Sequence, residues 1–108
     1  MTGKEYQALA MTTLNPRLEQ KDILINAVMG LCGESGEVSD IVKKHLHQGH
    51  TLDREKLMKE LGDIAWYLAE AAYALDTDLD AVFEGNIAKL RARYPQGFDS
   101  RRSISREE

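Results

Sequence analysis

The chain is 108 residues long, with 43% hydrophobic and 30% charged residues and a formal net charge of −4. That length supports one domain with a modest core. The acidic balance argues against binding a nucleic-acid polymer, whose phosphates need clustered Lys and Arg, and no apolar run reaches the ~18–20 residues of a membrane span.

The opening MTGKEYQALA lacks a secretory apolar core, and a single cysteine excludes an internal disulfide. A cytoplasmic protein is expected, with Cys32 as a small buried thiol in the apolar AVMGLCG segment.

No stretch alternates as a strand does, and four helical segments are predicted. The first spans 2–13 and stops before Asn15-Pro16, with Tyr6, Leu9, Ala10 and Thr13 on one face. The second spans 21–47, with Gly49 as its stop. It contains glycines at 30, 33 and 36, each costing a helix about 1 kcal/mol relative to alanine. They mark either a weakened helix or a close approach to a neighbouring one. The third begins at a Thr51 or Asp53 cap and runs to Ala74. The fourth runs from Asp78 to before Pro95. The tail GFDSRRSISREE is polar and is expected to be irregular, ordered only against a ligand or partner.

On the third segment, advancing ~100° per residue places Asp63, Ile64, Tyr67, Glu70 and Ala71 beside Glu60, and Trp66, Ala69 and Tyr73 opposite. Apolar groups on nearly every side imply burial from several directions. The expected cover for Trp66 and Tyr73 is a second subunit; the alternative is the first helix.

Glu34 and Glu37 are three positions apart, as are Glu60 and Asp63. On helices each pair shares a face, its members about 60° apart. Short linkage makes the two helices antiparallel neighbours, and four approaching carboxylates need a cation between them. All-carboxylate ligation favours Mg²⁺ or Mn²⁺. His45, His47 and His50 read as a polar helix end with favourable dipole contacts. Lys44 returns to the carboxylate face. Asn86, Lys89 and Arg93 form one stripe on the fourth segment, suited to gripping phosphate.

These residues resemble the MazG-like all-α nucleoside triphosphate pyrophosphohydrolases, whose signature is E-x-x-E followed by E-x-x-D. Here it reads Glu34-Ser-Gly-Glu37, a spacer of 22 residues, then Glu60-Leu-Gly-Asp63. GLCGESGEVSDIVKK, KELGDIAWYLA, NIAKLRARYPQGF and the opening EYQALAMTT are also similar to the family. The resemblance implies an all-α, four-helix bundle-like protomer over residues 1–99 followed by a polar tail at 100–108, assembled as a homodimer or a dimer of dimers. It implies Mg²⁺-dependent cleavage of a nucleoside triphosphate between the α and β phosphates. Glu34, Glu37, Glu60 and Asp63 would hold the metal, with Glu34 or Glu37 as alternative general bases. Asn86, Lys89 and Arg93, joined by Lys44 and Tyr94, would bind phosphate oxygens. Gln7, Ala10, Met11 and Tyr67 are expected near the base. The short single-domain length departs from the family's tandem-domain members. A noncatalytic helical module that senses a nucleotide or assembles a partner is the alternative function.

Overall fold

A computed structural model describes residues 1–106; Glu107 and Glu108, the end of the expected tail, lie outside the described residues. The structure is all-α: α1 (Gly3–Met11), α2 (Gln20–His47), α3 (Arg54–Ala74), α4 (Leu79–Arg93) and α5 (Ser100–Ile104). The four long segments stand where the periodicity predicts them. The departure is α5, where an irregular tail is expected. Asp99 accepts a hydrogen bond from the Arg101 backbone N–H at 2.8 Å and caps a single helical turn.

Local chemistry sets the other boundaries. Thr2 and Glu5 form a reciprocal capping box on α1. Asp53 and Asp78 cap α3 and α4 by accepting from Lys56 N–H and Ala81 N–H, so Asp53 rather than Thr51 starts the third helix. After α3 the chain reverses through Asp76 at φ 56°. Thr77 N–H bonds back to Ala72 C=O and Asp76 N–H to Tyr73 C=O, a Schellman closure.

The antiparallel pair α2/α3 is the main packing unit, and α1 packs against α3 and the start of α4. Trp66 faces α1 and donates its indole N–H to Ala10 C=O and Thr13 Oγ1, at 3.0 and 2.9 Å. Ala69 and Ala72 join Ala10 and Leu79 in the core. The first helix therefore covers the side of α3 for which a second subunit is expected, and Tyr73 stays 46% exposed at its edge. The α3–α4 turn is locked by buried Gln7, which donates to Thr77 C=O and accepts from Leu79 N–H.

Beyond Leu79 and Asp80 the fourth helix is loosely held; every residue from 81 to 92 is exposed. The radius of gyration is 16.9 Å, against about 13 Å for a compact chain of this length. The buried apolar set is mostly alanine, which permits close helix approach but removes little area from water. Leu61 and Leu68 on α3 and Leu75 at its C-cap stay exposed at seven-residue intervals, with Ile25, Val28 and Met29 exposed on α2. Cys32 is exposed as well. It lies on the uncovered side of α2, so the apolar setting read from its neighbours in sequence does not bury it within one protomer.

Candidate functional site: an acid cluster between α2 and α3

Successive turns of α2 meet successive turns of α3 in layers. In the first, Asn26 Nδ2 donates to both oxygens of Glu70, at 3.0 and 2.9 Å. Glu70 is fully buried, and burial pushes its carboxyl up while Asn26 pulls it down. In the next layer Gly30 faces Tyr67, and a Cβ at position 30 would fall on the phenol ring. This glycine serves the close approach. Gly33 and Gly36 have open space around them, so the same explanation does not extend to them within one protomer.

The third layer holds the acids. Glu34, Glu60 and Asp63 each offer an oxygen, and these atoms lie within 4.8 Å of one another. Glu34 Oε2 is buried without a hydrogen-bond donor. The Glu34 carboxyl is pushed up to about 7, first by its contact with the Glu60 carboxyl, then by burial and by the charges of Glu60, Asp63 and Glu37. Hard oxygen donors, an orphaned buried oxygen and mutual repulsion together fit a divalent cation. Glu37, the fourth expected acid, is exposed and stands outside the close group.

The repulsion has a thermodynamic consequence. A carboxyl whose pKa rises on folding contributes stability that is complete below its ordinary value of 4.5 and is lost as pH rises through about 7. In chelator, the melting temperature of the wild type should therefore fall across this window relative to a Glu34→Gln variant. Parallel melting curves for the two proteins would contradict the assigned cause.

Glu34, Asp63, Trp66 and Tyr67 line an open cleft of about 380 Å³. Trp66 and Tyr67 meet edge to face, with centroids 5.1 Å apart. Tyr6 reaches the same place from α1, its phenol pushed up by burial and by the charge of Asp63. Sequence reasoning placed Tyr6 on a helix face but not at the site, because no pattern within α1 refers to α3.

The expected cations stand elsewhere. Lys44 Nζ lies 2.9 Å from Asp40 Oδ2, one turn back on its own helix, and Asp40 is the main cause of its raised pKa. Lys89 and Arg93 line a different cavity, beside α5. Asn86 is exposed on α4. Tyr94 packs against Phe98, with the Arg93 guanidinium 5.9 Å from its ring centroid. Of the residues expected near a base, Tyr67 is at the cleft. Gln7 and Ala10 lie on the buried face of α1, Gln7 already bonded to Thr77 and Leu79, and Met11 packs against the core. The histidines form no metal cluster among the described residues; His45 Nδ1 pairs with His50 C=O at 2.9 Å.

Comparison with known proteins agrees with the acid pattern. The Gene 37 protein of Mycobacterium phage L5 is 41% identical over 73 residues, which cover 64% of this chain and 64% of that protein. No solved structure matches the chain. The MazG nucleotide pyrophosphohydrolase domain matches residues 24–98, from just inside α2 to the end of the Tyr94–Phe98 contact. A chain matched over more than two thirds of its length, with both acid pairs inside the match, belongs to the MazG nucleotide pyrophosphohydrolase family.

Proposed function

We propose that the protein hydrolyses nucleoside triphosphates between the α and β phosphates, giving a nucleoside monophosphate and pyrophosphate, with Mg²⁺ or Mn²⁺ at the acid cluster. The observation that carries this reading is the convergence of Glu34, Glu60 and Asp63 within 4.8 Å, together with family membership. Glu34, Glu60 and Asp63 would hold the cation, which when bound polarises phosphoryl oxygens and activates a water. Glu37, exposed and outside the tight group, is the better candidate to accept the water's proton at its carboxylate. Tyr67 and Trp66 form one wall of the cleft, where aromatic surface suits a base and excludes water from one side of the reaction.

Asn86, Lys89 and Arg93 are assigned to phosphate oxygens, where amide, ammonium and guanidinium donors stabilise developing charge. Within one protomer Lys89 and Arg93 line a cavity other than that of the acids, so the reading places their action across a boundary between two copies. The exposed apolar rows of α2 and α3 and the extended protomer support a homodimer or homotetramer. Lys44, held by Asp40, has at most a supporting part. The absence of a helix long and apolar enough to cross a membrane among the described residues is compatible with a cytoplasmic nucleotide pool as the source of substrate.

The deciding experiment incubates the protein with individual NTPs and dNTPs and Mg²⁺, resolves the products, and measures the assembly by light scattering. Monophosphate and pyrophosphate from a dimer or tetramer are expected. Nucleoside diphosphate with orthophosphate, or no turnover with any nucleotide, overturns the activity; a monomer overturns the assignment of the cations across two copies.

A further inference from the structure

The cleft between α4 and α5 runs against the charge of the whole chain. It encloses about 750 Å³, and its walls carry Lys89 and Arg93 from α4 and Arg101, Arg102 and Arg106 from the α5 region. Five of the chain's 14 basic residues thus face one space in a protein whose net charge is −4. Among the described residues the acid on that wall is Asp99, whose Oδ1 is engaged in capping α5. Among the described residues, Lys89, Arg101 and Arg102 have no ion-pair partner.

Gathered cations repel one another unless an anion lies between them. The volume falls in the range of a small-molecule site, roughly 300–1,000 Å³. A single tetrahedral anion would engage only some of these groups, whereas a chain of linked phosphates presents oxygens to several at once. Guanidinium forks match phosphate geometry two hydrogen bonds at a time, and lysine adds a point charge. A nucleic-acid strand would need the basic surface to continue along a track, but the other end of α4 carries Asp80 and Glu84.

We propose that the α4–α5 cleft is a metal-independent polyphosphate site in which Lys89, Arg101 and Arg102 bind the oxygens of a di- or triphosphate. The site shares Lys89 with the proposed phosphate grip of the pyrophosphohydrolase, adds two arginines of α5 to it, and requires neither the acid cluster nor hydrolysis. The same chemistry is presented by free pyrophosphate and by the phosphate end of a nucleotide.

Calorimetric titration of the full chain with inorganic pyrophosphate, in excess EDTA, tests the site directly. Saturable binding is expected, weakened at least ~10-fold by the double substitution Arg101→Gln and Arg102→Gln and not weakened by Glu60→Gln. Both arginines are exposed, so the double variant should keep its circular dichroism and melting temperature. A parallel titration with a nonhydrolysable NTP identifies the source: tighter binding than pyrophosphate assigns a nucleotide, equal binding the free anion, and either supports the site. The proposal is overturned by absence of saturable pyrophosphate binding, by equal affinity in the double variant, or by equal binding of sulfate at matched ionic strength. An enzyme that fails to hydrolyse nucleotides but binds pyrophosphate in EDTA would sink the activity and leave this site standing.

Discussion

Replacing Glu60 with glutamine is expected to cost at least ~10²-fold in nucleotide hydrolysis, about 3 kcal/mol of barrier, while raising the melting temperature of the metal-free protein. Both effects follow from one geometry. Three carboxylate oxygens within 4.8 Å repel in the absence of a cation, and the Glu34 carboxyl is driven up to about 7 first by its hydrogen bond with Glu60, then by burial and by the charges of Glu60, Asp63 and Glu37. Glutamine keeps the shape of the side chain and removes one charge, so the apo fold relaxes. The same change removes an anionic ligand for Mg²⁺, and the gain in melting temperature on adding Mg²⁺ should shrink with it, since a ligand stabilises only as it binds the native state. Melting curves with and without Mg²⁺, alongside product assays, check both signs. Unchanged turnover, or a lower apo melting temperature, would contradict the assigned role.

Gly30→Val should lower the melting temperature by about 10 °C or more. A Cβ at position 30 already overlaps the Tyr67 ring, and a branched side chain adds two further carbons to the same volume. Either α2 and α3 part or Tyr67 leaves its place; overpacking of this kind costs about 1–3 kcal/mol. For a domain of this size each kcal/mol is worth roughly 4–8 °C. Glu34 lies one turn further along α2, so parting the helices also spreads the acids, and displacement by about 1 Å can cost ~10²-fold in rate. Gly33→Ala is the control: with nothing within 4 Å it should keep or raise stability, by up to about 1 kcal/mol of helix propensity. Tyr67→Ala in the Gly30→Val background should recover stability, a positive coupling in a double-mutant cycle. A Gly30→Val protein that melts within about 2 °C of the wild type would show that the contact carries no energy.

The two substitutions separate contributions that sequence reasoning could not. Both acid pairs, their helices and the antiparallel relation of those helices are legible because each rests on periodicity within a segment and on a short loop. The convergence of Glu34 with Glu60 and Asp63 follows from them. Glu37 shows the limit: a spacing of three puts it on the same side of α2, yet an arc of 60° is enough to leave it exposed outside the close group.

By itself the sequence determined the all-α class, the four long helices and the placing of each acid pair on one helix face, since helical phase and capping act over a few residues. Only the tertiary structure decided that α1 covers Trp66, that Gly30 alone of the three α2 glycines receives a neighbouring ring, that Tyr6 joins the acids, and that Lys89 and Arg93 face α5 instead of the α2/α3 cleft. The reason is physical. The phase of a helix says which residues share a face, whereas the partner of that face depends on crossing angles, which are set where two backbones come closest. At Gly30 that closest approach is made by a missing side chain.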